Sequence, residues 1–104
     1  MTGSDPTLTV ISWRNIPAQV IAARGRERVR RELPDRFQTA IDRAAMKAGL
    51  VGTDAYLEQW IRTSRPCNDD LDAEADAEAN RLMAEYDQKR LERLVSAAGN
   101  EENA

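Results

Sequence analysis

Apolar and polar positions alternate along Leu8–Trp13. Leu8 and Val10 fall on one side, Thr9, Ile11 and Trp13 on the other, which is the period of a β-strand rich in β-branched and aromatic side chains. Asn15-Ile16-Pro17 interrupts the run, because proline fixes φ and brings no ladder donor. Gln19 to Ala23 is a second short apolar run. An antiparallel hairpin over residues 8–24 is the simplest link between two such neighbours. Two strands are marginal in water, so the hairpin must lie on helices or pair with another chain's edge.

After Gly25 the pattern turns basic. Residues 25–33 form a connector, RERVRREL at its centre, that fits either a third strand or a short helix over so few positions. Pro34 and Asp35 then suit the first turn of a helix. Phe37, Ile41, Ala44, Ala45 and Ala48 recur at helical spacing until Gly49 supplies a stop. Thr53 can cap a helix over Asp54–Arg62 with Tyr56, Leu57, Trp60 and Ile61 as its apolar face. Thr63–Asn68, with Pro66, reads as a break. Asp69 or Asp70 caps a longer helix carrying Leu71, Ala75, Ala79, Leu82 and Tyr86 on one stripe. Leu91, Leu94, Val95 and Ala98 continue it past a kink near Asp87–Gln88, and Gly99 ends it. The expected architecture is a single compact α+β domain over residues 8–98, an N-terminal β-hairpin packed against about four α-helices spanning 34–98. A disordered leader (1–7) and a disordered tail (99–104) flank it.

Composition narrows the class. A chain of 104 residues, 41% hydrophobic and 32% charged, is that of one soluble globular domain. No apolar run approaches the roughly 20 residues that span a bilayer. The segment before the first apolar run carries an acid and no base, so no secretory signal is expected. The single cysteine, Cys67, excludes an intrachain disulfide and fits a reducing cytoplasm.

The net charge of −3 hides a split. Residues 1–65 hold 11 bases against 7 acids, and residues 66–104 hold 4 bases against 11 acids. Such a split can serve an anionic partner of the first half, or draw the two halves together within one fold.

Candidate chemistry is sparse. The chain has no histidine, so the usual general base and the commonest nitrogen metal ligand are missing. It contains no glycine-rich phosphate loop and no nucleophile elbow. A non-catalytic protein without cofactor or metal is expected. Cys67 reads as a loop cysteine, because Asp69 and Asp70 oppose any activation by Arg65. The acids from Asp69 to Glu78 lack the glycine of a calcium loop and suit a helix N-terminus instead.

The strongest polar signal is Arg24, Arg26, Arg28, Arg30 and Arg31. In a strand the even-numbered arginines share a face; in a helix Arg24, Arg28 and Arg31 do. Such a row can hold phosphates or carboxylates bidentately, or pair locally with Glu27, Glu32 and the C-terminal acids. Trp13, Arg14 and Pro17 at the hairpin turn complete the candidate partner-binding surface, since Trp and Arg are enriched as interface anchors.

Trp13-Arg14-Asn15-Ile16-Pro17-Ala18-Gln19-Val20, Glu32-Leu33-Pro34-Asp35-Arg36-Phe37, Ala40-Ile41-Asp42-Arg43-Ala44-Ala45 and Gly52-Thr53-Asp54-Ala55-Tyr56-Leu57 resemble a small bacterial family known as virulence factors. The likeness covers about Leu8 to Leu94. Domains of this family stand alone or close larger conserved virulence factor proteins. Standalone members often accompany methylenetetrahydrofolate reductase and corrinoid-dependent methyltransferase proteins. The resemblance therefore implies an accessory subunit in one-carbon metabolism, with those proteins as partners, and brings no catalytic residues. A second stretch, residues 28–62, is similar to a ribbon-helix-helix DNA-binding unit. That likeness implies a dimeric regulator with Arg28 and Arg30 facing the bases. Against it stand the preceding hairpin and the negative net charge.

Overall fold

The hairpin forms where the alternation places it, in a computed structural model that describes residues 5–100. Strands β1 (Thr7–Trp13) and β2 (Ile16–Arg24) run antiparallel from the Thr7–Ala23 pair to the Trp13–Ile16 pair. The register jumps from Ile11–Gln19 to Ser12–Pro17, leaving Ala18 unpaired. This bulge lets a strand carry Pro17 without losing a ladder bond elsewhere.

The basic connector resolves as a strand. β3 (Glu27–Glu32) pairs antiparallel with β2, from Arg24–Glu27 to Gln19–Glu32. The expected helix over Asp54–Arg62 is corrected: α2 covers only Asp54–Glu58, and β4 (Trp60–Pro66) follows at once, occupying most of the expected break at 63–68. β4 lies along the free edge of β1, with Trp13 opposite Trp60 and Thr7 opposite Pro66. The apolar residues of 56–61 fit a helical face locally. The unpaired ladder groups of β1 outweigh that preference, and Ile61 and Thr63 suit a strand. The hairpin thus gains both neighbours from its own chain, in the order β3-β2-β1-β4.

Four helices complete the domain among the described residues. α1 (Asp35–Ala48) begins after Pro34 and ends at Gly49, whose φ of 74° is left-handed and suits glycine. α3 (Leu71–Glu85) is capped by the Asp70 side chain, which accepts from the Ala73 amide at 3.1 Å. The expected kink is a full break: Asp87 caps a separate helix α4 (Gln88–Ser96), accepting from the Arg90 amide at 2.9 Å.

α3 packs on the sheet face formed by Leu8, Val20 and Ala22, presenting the small residues Ala75 and Ala79 so that helix and sheet approach closely. Phe37, Ile41, Ala44 and Ala45 of α1 meet Leu91, Leu94 and Val95 of α4 as a second part of the same core. Truncating one such buried leucine to alanine typically costs about 2–5 kcal/mol. Residues 1–4 of the expected leader and 101–104 of the expected tail lie outside the described residues. Two described ends of those segments are ordered by contacts. Thr7 belongs to β1, and the Gly99 carbonyl accepts from the Asn15 amide at 2.8 Å. No helix among the described residues is long and apolar enough to cross a membrane.

Candidate functional site

Alternation along β3 divides the arginine row between the two faces of the sheet. Arg31 shares the helix-bearing face with its partner Val20. Its guanidinium donates to Asp76 at 2.7 Å and to Asp72 at 3.0 Å, both on the first half of α3. These two carboxylates hold the Arg31 pKa above its usual value. Arg24, at the end of β2, reaches Glu27 and Asp69 at 3.3 Å each. Arg65 of β4 donates to Glu78, a buried carboxylate that also accepts from Arg81. The basic first half and acidic second half therefore meet inside one fold at Arg24, Arg31, Arg43 and Arg65.

Arg28 and Arg30 point the other way. Arg30 pairs with Ile21, which pairs with Thr9, which pairs with Ser64. The Thr9 and Ser64 hydroxyls hydrogen-bond at 2.7 Å, which fixes this row on one face. The row to one side holds Arg28, Ala23, Thr7 and Pro66, and the row to the other holds Glu32, Gln19, Ile11 and Arg62. Arg28, Arg30, Glu32, Arg62 and Ser64 are exposed, while Ile11, Gln19, Ile21 and Ala23 are half-buried. No ion pair engages Arg28, Arg30 or Arg62 among the described residues. Cationic rims on the two outer strands thus flank a mainly aliphatic floor, with Glu32 as the acid of that face.

The hairpin-turn part of the expected surface lies largely inside the fold. Trp13 is fully buried: its indole N–H donates to the Tyr56 carbonyl at 2.9 Å, and its ring stacks on Tyr56 with centroids 5.6 Å apart. Pro17 is also fully buried. Arg14, at φ 53° in the turn, donates to the Ala98 carbonyl at 2.9 Å and to Gln59 Oε1 at 3.1 Å. Trp13 and Arg14 tie the turn to α2 and to the segment after α4, while Pro17 lies within the core. Arg26 is exposed in the β2–β3 turn, beyond the rim of the open face. Arg62, Ile11 and Ile21 belong to that face and were not expected there. The alternation Ile61-Arg62-Thr63-Ser64 is the signal that would have found Arg62.

Two other reactive groups stand apart. Burial pushes the Cys67 thiol pKa up; Glu74 and Asp69 push the same way, and nearby Arg65 opposes them. That is the reverse of an activated thiolate. Among the described residues no three His, Cys, Asp or Glu side chains converge as a metal-holding group. The ribbon-helix-helix layout does not form, since β3 is joined to β2 and α2 gives way to β4 after five residues.

Comparison with known proteins agrees with the resemblance in the sequence. Residues 11–95 match the family model described as Virulence factor, and the chain belongs to that family. No curated protein and no solved structure matches it.

Proposed function

We propose that this member of the virulence factor family is a non-catalytic accessory subunit that docks on a partner protein through the open face of its sheet. The observation that supports the reading is the exposure of Arg28, Arg30 and Arg62 beside half-buried Ile11 and Ile21, with no carboxylate among the described residues engaging those arginines. β-branched side chains suit a solvated sheet face as well, and what distinguishes this one is the pair of cationic rims beside them. An apolar centre rimmed by guanidinium groups is the composition of an interface, in which buried area gives affinity and charge gives orientation.

The resemblance noted in the sequence proposes the class of partner: methylenetetrahydrofolate reductase or corrinoid methyltransferase proteins, with the chain acting in one-carbon metabolism in the cytoplasm. Affinity purification from the native cell, with the wild-type chain and with the triple variant R28A/R30A/R62A, tests both levels. The wild-type chain is expected to bring down a stoichiometric protein that the triple variant loses while keeping its melting temperature. Recovery of the wild-type chain alone, or of the same protein with both, contradicts the docking surface. A stoichiometric protein of another class contradicts the one-carbon assignment alone.

A further inference from the structure

We propose that the segment occupying the open sheet face is an acidic, amphipathic α-helix of the partner, lying along the strands between the arginines of β3 and Arg62 of β4. This rests on the reading of that face as the docking surface, and adds what the partner presents to it.

Three features of the face support a helix. The first is backbone chemistry. An extended segment laid flat on a sheet would leave its own N–H and C=O groups without partners, whereas a helix satisfies its backbone internally. Strand addition would use an edge, and Arg28, Arg30 and Arg62 lie on the face. The second is width. β2 and β1 separate β3 from β4, so the rims stand about 14 Å apart at the usual spacing between strands. A helix with its side chains measures about 10–12 Å across and fits between them. The third is pitch. Arg28 and Arg30 are two residues apart on one strand, about 6.6 Å, close to the rise of about 6 Å between helix positions i and i+4. Two glutamates one turn apart can therefore each meet one arginine.

The floor defines the helix's inner face. Ile11, Ile21 and Ala23 are aliphatic, and the Thr9 and Ser64 hydroxyls are satisfied by each other. Leucine or alanine at i, i+3, i+4 and i+7 would cover the aliphatic part of this floor, and a serine or glutamine of the helix would meet the Gln19 side-chain oxygen, which is buried and has no hydrogen-bond partner among the described residues. A single-stranded nucleic acid is the other ligand that arginine rims suggest. Its bases need successive aromatic platforms, and the rows of this face offer one pair at the hairpin-turn end, with Trp13 fully buried and Trp60 half-buried with its ring edge-on to Tyr56. Glu32 sits beyond Arg30 on the β3 rim and would repel a third carboxylate there. The partner's acids are thus confined to the Arg28–Arg30 side and the Arg62 side.

The test uses the full chain and fluorescein-labelled peptides of about 18 residues, long enough to span the strands. One peptide carries a leucine stripe flanked by glutamates at i and i+4; a second has the same composition scrambled; a single-stranded oligonucleotide is the third probe. Fluorescence anisotropy is read at several salt concentrations and circular dichroism follows helix content. The striped peptide should bind saturably and gain helicity on binding. R30A and R62A should each weaken it about tenfold, the effect of one lost charge-assisted contact. Equal binding of the scrambled peptide, tighter binding of the oligonucleotide, insensitivity to R30A and R62A, or no binding would overturn the inference. If the peptide fails while R28A/R30A/R62A still releases the native partner, the docking surface stands and only the helix is wrong.

Discussion

Arg30 and Arg31 are neighbours in the chain and lie on opposite faces of β3. Arg31 is held by Asp72 and Asp76 of α3, whereas Arg30 stands beside Ile21 on the open face with no carboxylate among the described residues engaging it. One residue of register separates an intramolecular tie from a group available to a partner, because successive side chains of a strand alternate between faces.

The two arginines should separate stability from binding. Arg31→Ala removes a guanidinium shared by two carboxylates and leaves both beside the sheet without it. It is expected to lower the urea midpoint. Arg30→Ala should leave the midpoint within error of wild type. Equilibrium unfolding followed by far-ultraviolet circular dichroism measures both. Equal midpoints for the two variants would contradict the division of the row.

Gly99 closes the far end of the molecule. Its φ is 91°, and a Cβ there would sit 2.9 Å from Cζ3 of the Trp13 ring. Gly99→Ala is expected to cost about 2 kcal/mol or more, combining left-handed strain with overpacking against a fully buried ring. The change should also disturb Trp13 fluorescence, since the ring must shift. Unchanged stability would mean that the segment after α4 does not clamp the hairpin turn.

Glu78 predicts the acid limb of stability. Arg81 first, and Arg65 after it, hold its carboxyl below the usual glutamate range, although burial pushes the other way. A depressed folded pKa means that the stabilisation is complete above the unfolded value of about 4.3. It is lost as pH falls through the lower folded value. Glu78→Gln should lower stability at pH 7 by about 1–2 kcal/mol, towards the smaller end for bonds to charged groups because both arginines are half exposed. It should also flatten the decline below pH 4.3. Unfolding curves between pH 2.5 and 7 check both effects, and an unchanged acid limb would remove Glu78 from the account.

Much of the fold was legible from local pattern. Leu8–Trp13 alternates, Pro34 and Gly49 bracket α1, and Asp70 and Thr53 cap the helices they precede; each signal is carried by residues adjacent to the element it defines. β4 was not legible, because Trp60 and Ile61 continue a helical stripe from Tyr56 and Leu57. What makes them a strand is the free edge of β1, some 50 residues earlier in the chain. The placement of the hairpin-turn residues was not legible for the same reason. Trp13 and Arg14 carry the composition of an interface, but Tyr56, Gln59, Ala98 and Gly99 hold them, and none of these is near in sequence. The arginine row was found as a row, and its division between two faces had to await the register of β3 on β2.

Arginine-selective labelling with phenylglyoxal, read residue by residue by mass spectrometry, tests the central claim most directly. In the free chain Arg28, Arg30 and Arg62 should react faster than Arg31 and Arg24. In complex with the co-purified partner those three should become protected while Arg26 stays reactive. Uniform labelling of the free chain, or a partner that protects Arg26 and leaves Arg30 and Arg62 open, would contradict it.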